Sequence, residues 1–311
     1  MKWACIFPGQ GSQSIGMLAD LAENNSLVND LFSSASEILS EDLWSIVING
    51  PEERLNSTEI TQPAMLTAAY AVWRVWLEQG GPRPDFMAGH SLGEYTALVC
   101  ADALSFEDAV MLVHERGKLM QNAVPAGKGA MAAILGLQDE QVRTACEQAA
   151  NGQVVEAVNY NSPGQVVIAG ERDAVERAID EAKAAGAKRA MLLAVSVPSH
   201  CSLMHEAADQ LAEKLAAVDF SIPTIPVIQN VDALAHNDTD SIRAALASQL
   251  HKPVRWVESI QYLHQQGVTR MVECGPGKVL TGLNKRIEKT MKVSPANGSQ
   301  TLQAALQAIA E

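Results

Sequence analysis

The sequence predicts an α/β protein, with a large domain on a mostly parallel sheet and a small inserted domain. Three observations point there. Short apolar runs alternate with stretches of helical period along most of the chain, the pattern of strands joined by crossover helices. Gly89-His90-Ser91-Leu92-Gly93 stands between an apolar run and a helical segment, as a strand-to-helix turn would. From about residue 128 to 196 the order becomes strand, helix, two strands, helix, strand. That order is the ferredoxin-like split unit, βαββαβ.

Each element has its own signal. Trp3 to Phe7 reads as a buried first strand, followed by the glycine-rich loop Pro8-Gly9-Gln10-Gly11-Ser12-Gln13. Helical patterning covers residues 29–39 and 43–49. It resumes from Pro63 to Gln79, where Leu66, Ala69, Val72 and Val75-Trp76 recur at helical spacing. Pro82 and Pro84 break the chain before the short run Asp85 to Ala88, and a helix follows over residues 94–101. Another is expected from Phe106 to Met120.

The split unit then reads as a strand over 130–137, a helix over 139–150, strands over 154–159 and 165–169, a helix over 172–185 and a strand over 188–195. The turn Asn161-Ser162-Pro163-Gly164 separates its middle strands. The large domain resumes with a strand over 226–229, helices over 241–250 and 254–266, and a strand over 270–274. Gly275-Pro276-Gly277 opens a last expected helix, from Lys278 to Ile287. The expected domains are therefore 1–127 with 197–311, and 128–196.

Composition narrows the function classes. The chain has 311 residues, 47% of them hydrophobic, enough for a large core. A net charge of −13 argues against a nucleic-acid binder, which usually carries a basic excess. Five widely spaced cysteines (Cys5, Cys100, Cys146, Cys201, Cys274) form no C-x-x-C pair. Reduced thiols in a cytoplasmic protein are expected, not a disulfide frame or a zinc site. No apolar run reaches the length of a membrane span. The apolar stretch at the N-terminus stops at Pro8-Gly9, too short for a signal peptide.

Gly89 to Gly93 reads G-x-S-x-G. On a strand-to-helix turn this is a nucleophile elbow: the glycines make room for a sharp turn that lifts the serine hydroxyl into a cleft. The bland alternative is a turn serine that caps a helix. A serine nucleophile needs a base. His90 adjoins it and should diverge from it. His200, in the proline-bearing loop Val197-Pro198-Ser199-His200, is the better candidate, against the reading of an exposed loop histidine. Pro8-Gly9-Gln10-Gly11 is a tight turn or a backbone cradle; a phosphate loop would end in Lys-Ser/Thr. Arg116 lies on a helix with an apolar side, where an exposed arginine is the ordinary expectation. Five cations, Lys278, Lys285, Arg286, Lys289 and Lys292, cluster around a lone Glu288, as a solvated helix face or a docking patch.

The motifs FPGQGSQ, TQPA, GHSLGEY, Arg116-Gly117, GAMAAI, NYNSPGQVVIAG, VPSH and ECGPGKVL occur in this order along the chain. Together they resemble the malonyl-CoA:acyl carrier protein transacylases of type II fatty acid synthesis, over nearly the whole length. The resemblance implies an α/β-hydrolase-like large domain with the ferredoxin-like insert. It implies acylation of Ser91, with His200 as its base and the backbone carbonyl of Gln249 orienting the imidazole. It assigns the oxyanion hole to the backbone N–H groups of Gln10 and Leu92, and gives Arg116 the free carboxylate of the malonyl group. Gln62 and Asn161 match family positions near that pocket. Malonyl-CoA and acyl carrier protein are the implied partners, with no metal or bound cofactor. A thioesterase and a noncatalytic carrier-binding scaffold are the rival readings.

Overall fold

The computed structural model describes residues 2–195 and 197–310. Met1, Ser196 and Glu311, which bound the expected domains, lie outside the described residues. The chain starts with β1 (Lys2–Phe7), then α1 (Ala19–Asn24), α2 (Ser26–Leu39), α3 (Leu43–Asn49), α4 (Glu52–Leu55) and the long α5 (Thr58–Glu78). β2 (Phe86–Gly89) leads into α6 (Gly93–Cys100), and α7 (Phe106–Asn122) follows. Next come β3 (Gly129–Leu135), α8 (Asp139–Ala149), β4 (Val155–Ser162), β5 (Gln165–Glu171), α9 (Arg172–Ala184) and β6 (Arg189–Leu192). A single 3₁₀ turn at Ser202–Met204 precedes α10 (His205–Ala216). The rest is β7 (Val227–Ile228), α11 (Thr239–Gln249), α12 (Trp256–Gln265), β8 (Val268–Cys274), α13 (Val279–Ile287), β9 (Lys292–Ala296) and α14 (Ser299–Ala310).

The larger sheet has the order β7-β2-β1-β8-β9, and every pairing in it is parallel. Strand order reverses at β1, so the carboxyl ends of its central strands open on one crevice, the usual ligand position in such sheets. Trp3, Cys5 and Phe7 of β1 belong to the main core, with α2, α5, α6, α7, α10 and α14. Ala4 and Ile6 point the other way, into a second core with Trp256, Ile260 and Leu263 of α12. Helices on both faces explain the unbroken apolar run at the start of the chain: a strand covered on two sides need not alternate.

The smaller sheet is antiparallel, with the order β4-β5-β3-β6. Ala132 and Ile134 of β3 pack under α8 and α9 through Val142, Cys146, Val175 and Ile179. On the opposite face Met131, Val158, Val167 and Ala169 meet Cys201. The chain that leaves this sheet therefore folds back beneath it, and it carries His200 along.

Several boundaries differ from expectation. The helix expected from Pro63 begins at Thr58, with Pro63 inside it. Proline lacks the N–H that would bond the Glu59 carbonyl. The imidazole Nδ1–H of His114 donates to that carbonyl instead, at 2.8 Å, and the helix continues. Asn161 belongs to β4 rather than to the turn, which narrows to Pro163-Gly164 with Gly164 at φ 73°. The strand expected over 188–195 ends at Leu192. The helix opened by Gly275-Pro276-Gly277 is not the last, since β9 and α14 follow it. β9 reads Lys-Val-Ser-Pro-Ala, an edge strand that tolerates proline and has no clean alternation. α10 was also unexpected, because its buried stripe (Ala207, Ala208, Leu211, Leu215) is half alanine.

Candidate active site

The site begins with a turn that only glycines permit. A Cβ on Gly93 would stand 2.1 Å from the Phe7 carbonyl oxygen, and one on Gly9 would stand 2.4 Å from the His90 carbonyl oxygen. The elbow and the loop after β1 thus approach backbone to backbone. Ser91 sits at φ 52°, in the left-handed region that non-glycine residues avoid. Such a conformation costs on the order of 1–3 kcal/mol and persists only where neighbours hold it. Asn230, just past β7, is the neighbour. Its Oδ1 accepts from the Ser91 N–H at 2.7 Å, and its Nδ2 donates to the Gly89 carbonyl at 2.7 Å.

His200 Nε2 lies 2.8 Å from Ser91 Oγ. Its Nδ1–H donates to the Gln249 carbonyl at 2.6 Å, which leaves Nε2 to accept the serine proton. The carbonyl is available because Gln249 ends α11, where the last turn has no helical donors. His200 also has a left-handed backbone, φ 67°, and three anchors hold it there. Its N–H donates to the Leu250 carbonyl at 3.0 Å. Cys201 is buried beneath the smaller sheet. The Ser202 N–H and hydroxyl donate to the Glu156 carboxylate of β4, at 3.1 and 2.6 Å. Burial, then the Arg116 charge, holds the His200 pKa down to about 3, so the imidazole is neutral and its Nε2 lone pair is free to accept a proton.

Arg116 arrives from α7 and is 1% exposed, contrary to the ordinary expectation for a helical arginine. Its Nη1 donates to Gln62 Oε1 at 2.7 Å and its Nη2 to Gln249 Oε1 at 3.0 Å. Nη2 also stands 3.4 Å from Ser91 Oγ. Among the described residues Nε has no partner. The guanidinium lies 5.4 Å from the Tyr95 ring centroid, within cation–π range. A buried cation whose hydrogen-bond partners are neutral amides is an unusual expense unless an anion completes it.

These groups open on a cavity of about 360 Å³ lined by Gln10, Ser91, Leu92, Arg116 and His200 on one side and by Met131 and Leu193 on the other. Among the described residues the backbone N–H groups of Gln10 and Leu92 donate to no protein acceptor. Gln62 stands behind Arg116 as its support. Asn161 Oδ1 takes the His90 Nε2–H at 2.7 Å, so it ties β4 to the elbow and keeps His90 away from the serine. His90 also tilts against Trp256, ring centroids 5.5 Å apart.

Two residues escaped the sequence reading. Asn230 has no local signal at all. Glu94 has one, as the lone acid in α6. It is fully buried; its Oε2 accepts from the Asn230 N–H at 2.8 Å and from Gln249 Nε2 at 2.9 Å. Burial pushes its pKa up to about 7 against these hydrogen bonds. Among the described residues, no group of three or more His, Cys, Asp or Glu could hold a metal ion, and no helix is long and apolar enough to cross a membrane.

A strained serine facing a neutral histidine suits acyl transfer through a covalent intermediate. The sequence pattern of the acyl transferase domain matches residues 4–304, and the class is that of the acyltransferases. A malonyl CoA-acyl carrier protein transacylase of Salmonella typhimurium is 57% identical over 305 residues, covering 98% of this chain and 99% of the relative. An acyl-carrier-protein S-malonyltransferase of Vibrio cholerae has a solved structure with TM-score 0.96 and 57% identity, covering 98% of this chain and 100% of that one. A malonyl-transacylase solved in complex with a type II polyketide acyl-carrier protein gives TM-score 0.98 and 55% identity, covering 99% and 100% of the two chains. The chain belongs to the malonyl-CoA:acyl carrier protein transacylase family.

The electrostatics of His200 have a testable consequence. A base with a pKa of about 3 stays deprotonated throughout the neutral range. Acylation of Ser91 by acetyl-CoA, which brings no carboxylate to Arg116, is expected to stay level between about pH 8 and pH 5, without a limb near the ordinary histidine value of about 6.5. Stopped-flow acylation across that range checks it, and a drop centred near 6.5 that persists in Glu94→Gln would show a histidine of ordinary basicity.

Proposed function

We infer that the protein transfers the malonyl group of malonyl-CoA to the phosphopantetheine thiol of acyl carrier protein, supplying the extender unit for fatty acid synthesis. The observation that carries this reading is the buried Arg116, one edge of which faces the Ser91 hydroxyl at 3.4 Å. A guanidinium is a planar fork that meets a carboxylate with parallel hydrogen bonds. Ser91 gives its proton to His200 Nε2 and attacks the thioester carbonyl. The backbone N–H groups of Gln10 and Leu92 receive the oxyanion. The tetrahedral species expels the coenzyme A sulfur, which takes the proton from Nε2, and malonyl-Ser91 remains. The carrier thiol then gives its proton to Nε2 and attacks the ester, and Ser91 recovers the proton as it leaves. Ping-pong kinetics follow.

Residues 128–196 serve as a small domain that closes one side of the cavity, through Met131 and Leu193. All five cysteines are buried free thiols, in keeping with a reducing compartment, and we place the enzyme in the cytoplasm. The cationic cluster is exposed around α13, where Arg286 Nη1 donates to Gln165 Oε1 at the start of β5, 2.9 Å away. That position flanks the junction of the two sheets and suits docking of an acidic carrier.

Three experiments test this reading. With labelled malonyl-CoA and intact-mass measurement, Ser91→Ala is expected to form no malonyl adduct while remaining folded. His200→Ala should acylate about a hundredfold or more slowly, the usual size of general-base assistance. An adduct on Ser91→Ala, or free malonate released at the transfer rate without carrier, would overturn the transferase assignment.

Arg116→Ala should lose malonyl transfer far more than acetyl transfer, by about 2–4 kcal/mol in kcat/KM, and Arg116→Lys should recover only part of it. Equal losses for both acyl groups would make Arg116 structural.

Reversing Lys285 and Arg286 to Glu should raise KM for the carrier and flatten its salt dependence, with adduct formation from malonyl-CoA intact. Unchanged carrier kinetics at low and high salt would remove this patch from docking.

A further inference from the structure

The mechanism leaves one buried titratable group unused. Glu94 is fully buried one turn past the nucleophile, and its carboxylate sits behind the pocket rather than in it. What it touches is specific. Gln249 directs both amide hydrogens away from Arg116, one to the Ser91 carbonyl at 3.0 Å and one to Glu94 Oε2 at 2.9 Å. That leaves Gln249 Oε1 as the acceptor that holds Arg116 Nη2 at 3.0 Å. The amide could be turned over only by setting its oxygen against two other oxygens and its NH₂ against a guanidinium. Glu94 also accepts from the Asn230 N–H, on the residue that staples the elbow.

We propose that Glu94 is a positioning residue for acyl specificity: its carboxylate fixes which way the Gln249 amide faces, and so where Arg116 directs its free donors. This rests on Arg116 as the reader of the malonyl carboxylate. The charged and titratable groups that face Glu94 are Arg116 from α7, Asp232 from the turn after β7 and Tyr95 beside it on α6. Burial raises the Glu94 pKa to about 7, so its ionisation falls inside the working range. Malonate's free carboxyl and His200 both titrate far below that range.

The test is the ratio of kcat/KM for malonyl-CoA to that for acetyl-CoA, in Glu94→Leu and Glu94→Gln. Leucine removes the acceptor, and the ratio should fall about tenfold or more, the scale expected when a buried hydrogen bond to a charged group is lost. Glutamine can present one amide oxygen to both donors, and at pH 8 its ratio should return to within about threefold of the parent. In the parent the ratio should rise with pH through about 7, by up to about the threefold that separates a neutral acceptor from the carboxylate; in Glu94→Gln it should be flat. A folded Glu94→Leu with the parent ratio overturns the proposal. So does a Glu94→Gln variant that keeps the parent's pH dependence, and this arm decides the matter if the leucine variant fails to fold. Arg116→Ala, run alongside, separates the two claims. If it leaves the ratio unchanged, the reading of Arg116 fails; if it lowers the ratio and the Glu94 variants do not, only this proposal fails.

Discussion

Gln249 is the residue on which the rest of the site depends. It ends α11, so its backbone carbonyl is free of helical duty and takes the His200 Nδ1–H. Its side chain reaches Arg116, the Ser91 carbonyl and Glu94 at once. Base orientation, arginine orientation and the far side of the elbow are therefore coupled through one helix end. A carbonyl can perform the orienting role that an aspartate performs in other serine enzymes, because orientation and tautomer choice need an acceptor, not a charge. It also has a consequence for electrostatics: with no carboxylate against the imidazole, nothing raises the His200 pKa except that one hydrogen bond, and burial prevails.

The charge balance of the pocket follows from the same choice. Arg116 is buried among Gln62, Gln249 and the Tyr95 ring, all formally neutral. Its nearest anionic candidate, Glu94, lies across Gln249 and is itself pushed towards neutrality. A buried guanidinium among neutral partners keeps a positive potential in a poorly screened place.

The two sheets share the work. The parallel sheet presents the glycine loop, the serine and Asn230 at the carboxyl ends of β1, β2 and β7. The antiparallel sheet does not border the serine directly; it holds the histidine loop against one face through Cys201 and Glu156, and it ties His90 aside through Asn161. His200 is thus clamped between a helix end of one body and a sheet face of the other. Its left-handed backbone is stabilised by contacts from both.

The sequence alone determined what is local. Gly89 and Gly93 flank a turn with no room for a Cβ, the unbroken apolar run of β1 marks a strand covered on both faces, and the alternating order of strands and helices marks the split unit. Sterics and periodicity are written in neighbouring residues, so they can be read there. Where those signals weaken, the reading weakened too: β9 is a short edge strand with a proline, α10 hides its stripe in alanines, and Pro63 reads as a helix start although His114 lets the helix run through it. The roles that depend on contact were decided by tertiary structure. Asn230 meets Ser91 across 139 residues, and the Gln249 carbonyl meets His200 across 49. Family resemblance pointed to Gln249; no spacing rule does. A hydrogen bond between distant residues leaves no periodicity behind, and whether an arginine on an amphipathic helix is solvated or buried beneath a serine is settled only when the helices close over it.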